Sequence, residues 1–180
     1  MHSVNGGQLA QLREAYPTAE VTAERFREEL RAFGETARAA VTHWHTRLPE
    51  REWSPAQETE HVIRVNENTG RLVQLLLSDR ELRAGPEQRG VMKDGKRQAP
   101  PGTEPGAGEE FGPLLERHAQ AGEVLSALQP EANPARTYFH PFLGQLDGLD
   151  WMRMTTWHMA AHRRALRRGL EQLAAESKTS

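Results

Sequence analysis

The stretch DGLDWMRMTTWHMAAHRRALRRGLEQLAA, residues 147–175, decides how this chain folds. Wound at about 100° per residue, it puts Trp151, Met154, Thr155, His158, His162, Ala165, Leu166, Gly169 and Leu173 on one side. Arg153, Arg163, Arg164, Arg167 and Glu171 fall on the other, with Arg168 flanking. An apolar stripe backed by charge is a helix that buries one face against other helices. Asp147 or Asp150 is placed to cap its start.

Three more helices are expected upstream. The first begins near Thr22, with Val21 and Phe26 placed as a hydrophobic staple. Phe26, Leu30, Phe33, Ala37, Val41, Trp44 and Leu48 then recur at helical spacing until Pro49 stops it. The second has a capping box, Ser54-Pro55-Ala56-Gln57, with proline at the first helical position. Its inner stripe reads His61, Val65, Leu72, Leu76, with Asn68 and Thr69 close by, and fades around Leu82. The third follows Gly112-Pro113, carries Leu114, His118, Ala121, Leu125 and Leu128 on one face, and ends at Pro130. Residues 1–20 are a short helix or a mobile arm.

Two connections are irregular. Residues 83–110 are polar and rich in glycine and proline. A connection that long can run the length of a bundle and lets the second and third helices be parallel. Residues 130–146 form the other. No strand pattern matches the helices in strength, so the expected fold is an all-α four-helix bundle in one domain spanning 1–180.

Composition narrows the function. The 180 residues hold 23 Lys+Arg against 25 Asp+Glu, a net charge of −2, the wrong sign for a protein living on nucleic-acid backbones. The arginines of the last helix are therefore read as a solvated face, and no specific nucleic-acid partner is expected. There is no cysteine, which excludes disulfides, thiolate zinc sites and a cysteine nucleophile. Without a signal-peptide pattern or a membrane-length apolar run, a cytoplasmic protein with no membrane partner is expected.

The chemistry concentrates in histidines. His158 and His162, four apart, stack on one helix face near the middle of the buried stripe. His61 also points inward. Buried neutral imidazoles need partners for a donor and an acceptor each, and the pair has no acidic neighbour in its own stripe. Three histidine ligands with an open position is the pattern of catalytic zinc; nickel, iron and manganese also accept imidazole. The residues alone do not choose among these ions. Glu58, one turn before His61, is a weak catalytic candidate, able to orient a ligand ring or act as a base, though a first-turn carboxylate more often serves the helix dipole. His43 and His45 splay to either side of Trp44 as boundary groups. His118 reads as a hydrogen-bonded core histidine, Asn68 and Thr155 as cavity lining, and Trp151 and Trp157 as packing residues.

These residues carry a family likeness. Trp53-Ser54-Pro55-Ala56 with His61 in the same helix resembles the second-helix signature of the DinB-like (DinB/YfiT) superfamily. His140-Pro141-Phe142-Leu143-Gly144, Asp147, Trp151 and His158-Met159-Ala160-Ala161-His162 resemble the approach to its fourth helix and that helix itself. The likeness spans about residues 22–175. It implies an up-down-down-up order, with 83–110 as the crossover between helices two and three, and a metal on His61, His158 and His162. It also implies homodimers formed through helix faces. Relatives of known activity are transferases or isomerases that use a low-molecular-weight thiol such as bacillithiol, mycothiol or glutathione.

Two functions follow as expectations. One is a divalent-metal enzyme with a small-molecule substrate, in which a thiol cosubstrate attacks an electrophile or an activated water hydrolyses one. The other is a non-catalytic, metal-binding stress-response bundle acting through a partner. A fourth protein ligand from Glu58 or His118 would favour the second.

Overall fold

The computed structural model describes residues 4–83, 85 and 87–179. A short helix α1 (Val4–Ala15) precedes four long ones: α2 (Ala19–Ala39), α3 (Pro55–Leu77), α4 (Phe111–Ala127) and α5 (Gly148–Thr179). Two small antiparallel ribbons sit in the connections. β1 (Met92–Lys93) pairs with β2 (Lys96–Arg97), and β3 (Tyr138–His140) pairs with β4 (Gly144–Leu146).

Side-chain register fixes the helix directions. Leu30 of α2 lies against Gly122 of α4, while Gly34 lies against His118, so α2 and α4 run antiparallel. Arg117 of α4 holds Glu67 of α3, and Val124 lies over Gly70, so α3 and α4 are parallel. Arg163 of α5 pairs with Glu29 of α2, and Gly169 abuts Leu48 just beyond α2, so these helices are parallel too. His61 faces His158 while Val73 faces Gly148, which makes α3 and α5 antiparallel. The result is up-down-down-up, with the chain from Ser78 to Glu110 as the crossover. Gly122 permits the closest helix contact: a methyl there would lie 2.4 Å from Leu30 Cδ2.

The first long helix stops earlier than its periodicity predicts. It caps at Ala40, and Val41–His43 form a 3₁₀ turn. Two β-branched residues, Val41 and Thr42, weaken helix continuation there. Trp44 instead folds over the bundle end, accepting from Ala56 N and donating Nε1–H to the Glu109 carbonyl, both at 2.9 Å. Trp44 and Leu48 are nonetheless buried, which is why the spacing mimicked a continuous helix.

The start of α3 forms as its sequence dictates. Ser54 Oγ accepts from Gln57 N at 3.3 Å, and Gln57 Oε1 accepts from Ser54 N at 3.2 Å. The helix ends at Leu77, not Leu82, because Arg136 reaches in to donate to the carbonyls of Leu75, Leu76 and Arg80. That satisfies orphaned C-terminal acceptors. Sandwiched between α4 and α5, α3 buries Val62, Ile63 and Val73 besides His61, Val65, Thr69 and Leu76; Leu72 and Asn68 are only partly covered.

On α5 one expectation fails. Arg153, read as solvent-facing, is 6% exposed. Helix α1 covers that side of α5, placing Leu12 in the core and Arg13 on Asp150. Arg153 donates to Asp150 Oδ1 at 2.8 Å and to the carbonyls of Tyr16 and Pro17. Asp147 is the cap: its Oδ1 accepts from Asp150 N at 2.8 Å. Arg164, Arg167 and Arg168 stay in solvent. Among the described residues no helix is long and apolar enough to cross a membrane.

Candidate metal centre

His61 comes from the second turn of α3, and His158 and His162 from successive turns of α5. Antiparallel packing of the two helices brings one potential ligand nitrogen from each to within 4.8 Å of the others. His61 Nε2 and His158 Nε2 are 3.0 Å apart.

Neighbouring acceptors fix two tautomers. His61 Nδ1–H donates to the Thr103 carbonyl of the crossover at 2.7 Å. His162 Nδ1–H donates to Glu58 Oε1 at 2.5 Å. Each ring therefore turns an unprotonated Nε2 toward the others, and an Nδ1–H bound to an oxygen is the usual support of a metal-binding imidazole. Burial pushes His61 down to about 4, helped by the nearby His162, so its ring is neutral near pH 7. Burial first, then its histidine neighbours, pushes His158 well below the ordinary value.

Without an ion, a proton on His158 Nε2 satisfies the 3.0 Å contact with His61 Nε2; a cation would take that proton's place between the two nitrogens. Imidazole nitrogens at about 2.0–2.1 Å around a tetrahedral ion lie roughly 3.3 Å apart, close to the 3.0 Å between His61 and His158. His158 Nδ1 and Glu58 Oε2 are also buried with no hydrogen-bond partner. The donor set and its spacing fit a divalent cation.

Glu58 takes a definite place here. Fully buried, its carboxylate would be raised by desolvation, but His162 and then Arg51 more than compensate and hold it at about 2. Arg51 reaches Glu58 Oε1 at 2.5 Å. Through Oε1 the carboxylate supports the His162 ring. Trp53 covers His61, with ring centroids 4.9 Å apart.

The trio opens on a cavity of about 720 Å³ between α3, α5, the crossover and the β3–β4 ribbon. Trp157, Met154, Val65, Leu72 and Phe142 line it with Asn68. Thr155 does not reach it; its hydroxyl donates to buried Asn66 Oδ1 at 2.7 Å. His118 lies elsewhere, donating Nε2–H to the Leu30 carbonyl at 2.9 Å between α4 and α2. His43 is outside the site as well, and His45 faces Glu110 at 3.5 Å. Sequence reasoning missed Arg51 and the Thr103 carbonyl, which lie in loops whose fold onto the site no periodicity encodes. It also missed His140 as a cavity residue, although His140-Pro141 stood out as a motif.

A family model described as the DinB superfamily matches residues 22–166. The chain is also similar to the crystal structure of TT2238, a four-helix bundle protein. The TM-score is 0.57 and the identity 26%, over 84% of this chain and 99% of that one. No curated protein matches it.

Proposed function

The chain belongs to the DinB superfamily, and on that footing we propose that it is a divalent-metal-dependent enzyme joining a thiol cosubstrate to a small electrophile. Hydrolysis with the same ligands is the sub-case. His61, His158 and His162 would hold the ion, zinc or nickel ahead of iron or manganese. A cation in that place supplies Lewis acidity, lowering the pKa of a bound thiol or water toward neutrality.

The observation that carries this reading is the open side of the trio. Glu58 Oε1 is taken by His162 and Arg51 and the carboxylate lies outside the cluster of ligand nitrogens, and His118 lies between other helices. Neither closes the coordination sphere, and the remaining direction is a cavity large enough for a small organic substrate. The chain's other residues orient and shield. The Thr103 carbonyl and the Glu58 carboxylate hold two rings in register, Trp53 keeps water off His61, and the aromatic and aliphatic walls receive the electrophile. With no cysteine in the chain, the thiol comes from outside.

The test is metal analysis of protein purified without a histidine tag or added metal, followed by assays pairing low-molecular-weight thiols with epoxides, halides and activated alkenes. About one divalent ion per chain and metal-dependent thiol consumption are expected. An apo protein of unchanged stability that binds no thiol would overturn the reading. Stoichiometric metal with no exchangeable position would favour the non-catalytic bundle.

Glu58→Gln keeps the shape of the side chain but removes the charge that supports His162. Metal affinity is expected to fall by about 10–100-fold, the usual cost of losing such a partner. Competition against a chromogenic chelator measures it, and an unchanged affinity would remove Glu58 from the centre.

A further inference from the structure

The cavity has a second polar locus that the trio does not use. His140 Nδ1 accepts two backbone N–H groups, from Phe142 at 3.1 Å and Leu143 at 3.2 Å. That bonding fixes the neutral ring with its proton on Nε2. Among the described residues the Nε2–H has no protein partner, and His140 lines the cavity. Its ring lies beside Trp151, centroids 5.1 Å apart.

Trp151 is 8% exposed, lines the same cavity, and has a buried Nε1–H with no acceptor. A buried donor without a partner is costly and uncommon. At the rim, Arg97 lies over the Phe142 ring, 5.0 Å from its centroid. It donates to the neutral amide oxygen of Gln8 and meets no carboxylate among the described residues. The carboxylates lining the cavity are otherwise engaged: Glu58 with Arg51 and His162, Glu52 with Lys96, Glu50 with Gln172. Three donors from three segments therefore border one cavity, and none of them meets a carboxylate among the described residues.

We propose that this locus is an anion subsite, receiving the carboxylate of an apolar ligand on His140 Nε2–H, Trp151 Nε1–H and the Arg97 guanidinium. Trp151 precedes His158 by two helical turns, about 10 Å along the axis. The apolar part of the ligand therefore runs along Met154, Trp157 and Leu72 toward the trio, roughly the reach of an eight-carbon chain. The subsite names a substrate class, an amphipathic carboxylic acid reacting at its far end. In that respect it rests on the reading of this cavity as the substrate site.

Octanoate and its neutral counterpart octanamide, titrated calorimetrically, test it on the metal-loaded and the chelator-treated protein. Octanoate is expected to bind at least about tenfold tighter than octanamide in both, as a charge-assisted contact provides. The double variant Arg97→Gln, His140→Asn should bring the two ligands close to parity while leaving metal content unchanged. Asparagine keeps an acceptor for the turn at Phe142 and Leu143 but has no N–H at the Nε2 position. Trp151→Phe should weaken octanoate more than octanamide. Parity in the native protein, a preference that survives the double variant, or no binding of either ligand would overturn the subsite. So would a preference that vanishes on chelation, since the carboxylate then sits on the metal. A protein that holds no metal yet prefers octanoate would instead sink the metalloenzyme reading and leave the subsite standing.

Discussion

Alanine in place of His158 is expected to strip the protein of divalent metal. His158 stands nearest the third helix's ligand, with Nε2 3.0 Å from that of His61. Without it, two imidazoles remain, His61 and His162, on different helices. Affinity should drop by more than the roughly 100-fold that a supporting partner can cost, so the purified variant should carry a small fraction of an equivalent. The fold should survive. His158 Nδ1 is already buried without a partner, so removing the ring also removes an unsatisfied polar group. Helical circular dichroism and thermal midpoint, both on chelator-treated protein, should match the parent closely. Full metal content in His158→Ala would refute the ligand assignment outright.

The largest effect on stability is expected far from the trio, at Asp150. Its carboxylate is 1% exposed and is held by Arg153 at 2.8 Å and Arg13 at 2.6 Å. Arg13 can return to water, but Arg153, with its side chain 7% exposed, cannot. Asp150→Ala leaves a buried guanidinium without its counter-ion, which costs about 3–5 kcal/mol. For a chain of this length that lowers the thermal midpoint by roughly 6–20 °C. The helix start is not at stake, since Asp147 is the cap. Adding Arg153→Met removes the stranded charge, and much of the loss should return, as for other buried pairs replaced by apolar groups. A loss below about 1 kcal/mol for Asp150→Ala would show that the pair carries no such strain.

What could be read from the sequence was what short-range chemistry determines. Ser54, Pro55 and Gln57 specify a helix start by themselves, and the structure begins α3 there. The i,i+4 spacing of His158 and His162 forces both rings onto one face, and the apolar stripe says which way that face turns. What could not be read depends on tertiary cover. Arg153 sits in the charged half of the wheel, and only the arrival of α1 makes that half an interior. Trp44 and Leu48 keep apolar spacing because they pack on the bundle end, which a periodicity scan cannot tell from a continuing helix, while Val41 is exposed. Arg51 and Thr103 reach the site from loops, and their place depends on folds of the chain that carry no repeat.

The crossover joins two properties that many proteins keep apart. Its segment from Gln98 to Thr103 forms part of the cavity wall, and the Thr103 carbonyl also holds the proton of His61 Nδ1. Gly106 ties it to α3 through Glu60 and Gln57, and Gly108 presses against Ala56 with a positive φ no other residue adopts easily. Anything that displaces this segment to admit a different molecule also alters the basicity and aim of an imidazole at the trio. By reciprocity, an ion held on His61 would bias the position of that wall. One loop therefore shapes both the cavity wall and the setting of His61, so a substitution in this glycine- and proline-rich connection is felt at the trio as well as at the wall.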